Sequence, residues 1–301
     1  MSPSSEQIKG CLLGLALGDA LGAPYEGGIL ERLLWKMIGT TTEGHPKWTD
    51  DTQMTLDLLE SILEVGELNP THLANKFASS YRWRRGYGAG TAKILKRIKA
   101  GECFQIAAKA IYPNGSYGNG AAMRSSVLAL IYPHKKALID ATKTSSMITH
   151  AHPLAIEGAL LISLSTHYLL QQLSPTQLLA QLNTDIHQTA LGKRLEIITQ
   201  WVVASYEATP TEIVHLLGNG VTAESSCCTA LYIALAHLHH PFEQMLSFII
   251  QCGGDVDTIA AMAGALWGTA NGFSKLPTVM IEDYQRLLNV AEGVERFSKL
   301  P

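Results

Sequence analysis

What this chain lacks narrows the field first. Its five cysteines, Cys11, Cys103, Cys227, Cys228 and Cys252, form no CxxC pair and no ladder of spacings. That excludes a disulfide framework and fits a reducing compartment. Charge is sparse, at 16% of residues with a formal net charge of −3, so neither a basic nucleic-acid surface nor an acidic tail is expected. No stretch reaches roughly 18 uncharged apolar residues, the length that spans a membrane. The opening MSPSSEQIKG has neither the basic start nor the apolar run of a secretory signal. These absences predict a soluble, cytoplasmic protein with no membrane or nucleic-acid partner; an effector exported by a C-terminal or unconventional signal would share them, and the oligomeric state is left open, with a monomer expected.

Alternating strand patterns are scarce too, and what fills the chain is helical periodicity. Apolar residues recur at three and four positions, as in Leu56, Leu59, Ile62 and Leu63, or Leu160, Leu164 and Leu169-Leu170. Turns are marked by Gly44-His45-Pro46, Gly66 to Pro70, Pro113-Asn114-Gly115, Ser174-Pro175 and Gly218-Asn219-Gly220. None is long enough to separate domains, so one all-α domain over residues 1–301 is expected. The first helix, GCLLGLALGDALGAPYEG, carries Gly10, Gly14, Gly18 and Gly22. Each interior glycine costs about 1 kcal/mol relative to alanine, so the stripe predicts close approach of a second helix. Small residues also recur at Ala260, Ala261, Gly264, Ala265 and Gly268.

Three polar islands interrupt this apolar background. In Trp48-Thr49-Asp50-Asp51-Thr52-Gln53, Thr49 or Asp50 fits a helix cap, with Asp51 in a first turn. In Gly253-Gly254-Asp255-Val256-Asp257-Thr258, three oxygen side chains precede a buried run, where a cap needs only one. Unpaired carboxylates near a core cost several kcal/mol, and no Lys or Arg occurs between Arg194 and Lys275. A hard divalent cation is the remaining partner, since Mg²⁺, Mn²⁺ and Ca²⁺ take carboxylate and hydroxyl oxygens. If the two islands meet, Thr49, Asp50, Asp51, Asp255, Asp257 and Thr258 suffice for two cations roughly 3.5–4 Å apart. The third island, Asn114 to Arg124, is a glycine-rich loop entering a helix. It suits either a plain turn or a phosphate held by backbone N–H groups, with Gly115 to Gly120 as the cradle.

Taken in order, these motifs resemble the ADP-ribosylglycohydrolase family, which includes the dinitrogenase reductase-activating glycohydrolase and the animal ADP-ribosylhydrolases. The similarity runs through residues 10–27, WTDDTQMTL (48–56), RGYGAGT (85–91), GSYGNGAAMR (115–124), ITHAHPLAIEGA (148–159) and CGGDVDTIAAMAGALWG (252–268). The resemblance implies an orthogonal all-α fold with a binuclear Mg²⁺ or Mn²⁺ centre on Thr49, Asp50, Asp51, Asp255, Asp257 and Thr258. Val256 stands where the family usually has a threonine, at a position not expected to bind metal.

By the same resemblance, Glu26 matches a glutamate near the substrate that takes part in the chemistry or gates the metals. Ser116, Tyr117, Gly118 and Asn119 match the loop that contacts ADP-ribose, and His150 matches a substrate-contacting histidine. Asp19 fits a buried structural acid better than a partner of the metal ligands, and His152 has no assigned role. The implied reaction is hydrolysis of the bond between C1″ of ADP-ribose and an acceptor: a serine or arginine side chain, an ADP-ribose polymer or an O-acyl group. Glu26 would be the acid–base group, or share that work with Asp50, Asp51 or Asp255. SYGNG and RGYGAGT look closer to the serine and polymer branch than to the arginine branch. The alternatives are a catalytically silent ADP-ribose-binding or structural relative, and a metal-dependent nucleotide phosphohydrolase.

Overall fold

The computed structural model describes residues 2–186 and 190–299. Among the described residues the chain is helical and holds no β-strand, as the periodicity predicts. The first helices are α1 (Ser5–Gly22), α2 (Ile29–Ile38), α3 (Asp50–Val65), α4 (Pro70–Ser80), α5 (Ala89–Lys99) and α6 (Phe104–Ile111). Next come α7 (Leu128–Ile131), α8 (Lys135–Met147), α9 (Pro153–Leu170), α10 (Pro175–Asp185), α11 (Ala190–Val203) and α12 (Pro210–Leu216). Then follow α13 (Ala223–Ala236), α14 (Phe242–Cys252), α15 (Val256–Asn271) and α16 (Tyr284–Phe297).

The turn signals fall between these elements, with local chemistry that explains each boundary. Ser174 caps α10 by accepting from Gln177 N, with Pro175 as the first helical residue. Gly66 ends α3 in the left-handed region at φ 88°.

The core is one cluster of buried apolar side chains, to which α1, α13 and α15 contribute residues around their whole circumference. Helix α9 is long and apolar enough to cross a membrane by length and composition, yet it is 67% buried within the protein, packed against α8, α13 and α15. The five cysteines are all unpaired, and only Cys103 is exposed.

The glycine stripe does what its spacing predicts. A Cβ at Gly10 would strike the carbonyl of Gly268, one at Gly14 that of Gly264, and one at Gly18 that of Ala260. At Gly22 it would lie 2.9 Å from Asp257 Cα. Helices α1 and α15 therefore run antiparallel in backbone contact, and the end of α1 is pressed against the start of α15.

Two expectations are corrected. The first helix stops at Gly22 instead of running on to residue 27: Ala23–Tyr25 forms a tight turn containing Pro24, and Gly27 has φ 70°. The loop at 115–120 does not lead straight into an α-helix. It passes through a tight turn at Asn119–Ala121, and the next bonds, Ser125 N to Ala122 O and Leu128 N to Ser125 O, span three residues. Side chains take carbonyls that a regular helix would use, since Arg124 donates to Gly120 O and Ser125 Oγ to Ala122 O.

Candidate active site

The site lies where the end of α1 meets the starts of α3 and α15. Asp19 of α1, fully buried, accepts from Thr49 N at 2.9 Å, Thr52 N at 3.0 Å and Thr52 Oγ1 at 2.6 Å. It thereby holds the first turn of α3, the structural role favoured from the sequence. Thr49 Oγ1 caps that helix by accepting from Asp51 N at 3.3 Å, which leaves Asp50 and Asp51 in its first turn.

At the other helix, Gly253 and Gly254 have φ of 64° and 78°. A Cβ on Gly254 would overlap Asn219 O, which accepts from Asp255 N at 2.8 Å. The double glycine is thus the entry that α15 requires. Asp255 makes no cap bond; its Oδ2 accepts from Asn119 Nδ2, which also donates to Ser226 Oγ at 3.1 Å.

The two acidic islands meet. Thr258 Oγ1 donates to Asp51 Oδ1 at 3.4 Å. Carboxylate oxygens of Asp19, Asp51 and Asp257 lie within 4.8 Å of one another, and so do those of Glu26, Asp255 and Asp257. Burial, then Asp19 and the other carboxylates, pushes Asp50 and Asp51 far above the ordinary aspartate range. Burial, then Glu26 and Asp255, does the same to Asp257. Among the described residues no Lys or Arg pairs with Asp50, Asp51, Asp255 or Asp257. Asp51 Oδ2 is buried without a hydrogen-bond partner. An acceptor oxygen left bare among like charges is one that a cation would satisfy, and the surrounding oxygen donors suit a hard one.

The absence of cations is nevertheless sequence-local. The buried guanidinium of Arg124 is close enough for Asp50 to act on it, and burial lowers its pKa to about 9. It donates to Gly120 O, Ser145 O and Thr149 Oγ1 and lies over the Phe77 ring at 5.0 Å.

These carboxylates form one wall of a cleft of about 270 Å³. Glu26, Asp50, Asp51, Asp255, Asp257 and Thr258 line it, facing Ser116, Gly118, Asn119 and His150. The loop carrying Ser116 and Asn119 is fixed to the start of α13, with Asn119 N donating to Val221 O at 3.0 Å and Ala223 N to Tyr117 O at 3.1 Å. His150 packs beneath it. A Cβ on Gly120 would come within 2.8 Å of His150 Nε2, so only glycine leaves the ring its place. Burial and the nearby Arg124 charge depress the His150 pKa to about 3, which keeps the imidazole neutral. The first turns of α3, α5 and α15 all reach the cleft, so three positive helix ends face it.

A profile of the ADP-ribosylglycohydrolase family matches residues 1–300. The chain belongs to this family. It is 33% identical to the ADP-ribosylhydrolase ARH3 of Xenopus tropicalis, over 92% of this chain and 90% of that one. It is 31% identical to the ARH3 of Homo sapiens, over 91% of this chain and 88% of that one. Its fold superposes on a solved ADP-ribosylglycohydrolase-related protein complex with a TM-score of 0.73 at 27% identity, covering 98% of each chain.

Three residues singled out from the sequence do not line the cleft. Thr49 turns its hydroxyl to the α3 cap. Gly115, at φ 82°, lets the chain pass against the backbone of Ala151 and His152. Tyr117 is exposed and packs edge-on against His152 at 5.9 Å. Conversely, Gly86, Gly88 to Thr91, Tyr112, Met123 and Val221 do line it. The glycines lay in a motif already noted, RGYGAGT, without an assigned role. Tyr112 and Val221 carry no local signal that separates them from core residues.

Proposed function

We propose that this chain is a metal-dependent ADP-ribosylhydrolase that cleaves the glycosidic bond at C1″ of ADP-ribose. Family membership supports the reaction class. The observation that carries the reading is the meeting of Asp50, Asp51, Asp255, Asp257 and Thr258, with an orphaned Asp51 Oδ2, in a cleft that Glu26 also lines.

Asp50, Asp51, Asp255, Asp257 and Thr258, with Thr49 at the cap, would hold two divalent cations, Mg²⁺ or Mn²⁺. When bound, these would neutralise the carboxylates, bind ribose hydroxyls and lower the pKa of water. The protein's own residues divide the rest of the work. Asn119 holds Asp255 in place. Ser116 and the Gly118–Gly120 backbone meet the pyrophosphate. Because Arg124 donates to Thr149 Oγ1, the threonine proton goes to His150 Nδ1, leaving a neutral Nε2–H as a donor to the substrate. Glu26 takes the proton of the attacking water and returns one to the leaving oxygen, while the surrounding carboxylates favour positive charge developing at C1″. The acceptor we propose is serine, supported by the SYGNG and RGYGAGT motifs.

The test is ADP-ribose release from matched serine-linked and arginine-linked peptides, with Mg²⁺ or Mn²⁺, after chelation, and with Asp255→Ala. Metal-dependent release from the serine peptide, lost in the variant, is expected. Phosphate release from ADP-ribose instead, or binding without any release, would overturn the reading.

A further inference from the structure

Beyond the acidic end of the cleft the surface changes sign. The segment Arg82-Trp83-Arg84-Arg85 leads into Gly86, where a Cβ would lie 3.6 Å from Asp50 Oδ1. Arg82, Trp83 and Arg84 line a second hollow of about 400 Å³ together with Trp35, Met37 and Lys47. Arg85, stacked on Trp48 at 3.7 Å and paired with Glu282, lines the same hollow.

Arg82 and Arg84 are exposed, and among the described residues neither they nor Lys47 have a carboxylate partner. Arg84 lies over Trp83 at 5.0 Å, and Trp83 is itself 70% exposed. The hollow continues into α2, which begins just after Glu26 and whose apolar side is bare: Ile29 and Leu30 are 79% exposed and Met37 is 82% exposed.

Arg82 donates from one nitrogen to Ser79 O and Tyr81 O, and guanidinium groups with no carboxylate partner recognise carboxylate or phosphate. Contiguous exposed apolar side chains mark an interaction surface. The two lie side by side at the end of the cleft where, on the hydrolase reading, the bond to the acceptor is broken.

We infer that α2 and the Arg82–Arg84 hollow dock the acceptor polypeptide, gripping a flank of acidic and apolar residues beside the modified side chain. This rests on the hydrolase reading. An ADP-ribose polymer would meet the arginines and tryptophans but leave the aliphatic face of α2 uncovered. A polypeptide with Asp or Glu beside Leu or Ile uses both halves, and charge of this kind sets specificity and encounter more than turnover.

Two fluorescent peptides of equal length, each with one ADP-ribosylated serine, test this. One is flanked by Asp, Glu and Leu, the other by Lys and Gly. Anisotropy on the chelated wild-type chain is expected to show the acidic-apolar peptide binding about tenfold tighter at low salt. The preference should collapse in Arg82→Glu/Arg84→Glu and shrink with salt, and in turnover it should appear in KM and not in kcat. Thermal melting checks that the variant folds, and Trp83→Ala gives an uncharged second test.

Equal affinities for the two peptides would overturn the inference while leaving the hydrolase reading intact if both release ADP-ribose. A two-unit ADP-ribose oligomer that alone lost affinity in the charge swap would assign the hollow to the polymer and overturn it as well. Peptide discrimination without release from any substrate would support the docking surface and remove the hydrolase.

Discussion

Helices α1 and α15 share two regions that obey opposite rules. Along Gly10, Gly14 and Gly18 they meet backbone to backbone, with a carbonyl where any side chain would sit. At the end of this seam, Asp19, Asp51 and Asp257 bring oxygens within 4.8 Å of one another, and the chain does not satisfy them all. The seam explains how the crowding is held, because two helices that cannot separate without losing close packing keep repelling carboxylates together. Stability is concentrated in the seam, and function is placed where stability is given up. Such a division is expected of a site preorganised for a ligand that the chain itself lacks.

The largest effect should come from the seam. Gly14→Val forces side-chain atoms into the Gly264 carbonyl and should cost more than about 4 kcal/mol, read as loss of a cooperative thermal transition. Leu33→Ser, on exposed α2, should leave that transition in place.

The acidic end should behave in the reverse sense. Asp257→Asn should lower ADP-ribose release by about a thousandfold or more on the proposed mechanism, while raising the melting temperature of chelated protein by removing one of the crowded charges. A variant that lost both activity and stability would erase the contrast between the regions.

The pH dependence sharpens the same contrast. Asp50, Asp51 and Asp257 hold their protons more tightly folded than unfolded, so the folded state binds more protons. Their contribution is fully present below the ordinary aspartate pKa of 3.8 and is lost as pH rises through the raised folded values. Chelated protein should therefore melt at lower temperature with rising pH across that window. Added Mg²⁺ should flatten the decline by binding the folded state.

Smaller effects follow. Arg124→Lys cannot reach Gly120 O, Ser145 O and Thr149 Oγ1 together, and should lose about 2 kcal/mol of stability and raise KM through the displaced loop and His150. The smallest should be Val256→Thr. This side chain is buried away from the cleft, so a hydroxyl there should cost about 1 kcal/mol in melting and leave release unchanged.

Much of this organisation was legible in the residues. The glycine spacing foretold a close helix pair, and charge without counter-charge isolated the acidic islands. Local patterns failed where the cause lay far away. Nothing around Arg124 shows that it will be buried against Phe77 and Thr149, so the site looked devoid of cations. The run after Asn119 looked like a helix start because its composition permits one. Side chains that bond Gly120 O and Ala122 O decide otherwise. Tyr112 and Val221 reach the cleft only through the fold.

Asp51 and Thr258, in hydrogen-bond contact, are separated by 207 positions. Helix α1, buried around most of its circumference, is therefore covered only once the distant α15 has formed. A product that stops before α15 cannot assemble the acidic wall, whose two halves are brought together by the same event that covers α1. On the proposed reading, the docking of α15 is itself the step that makes cation capture possible.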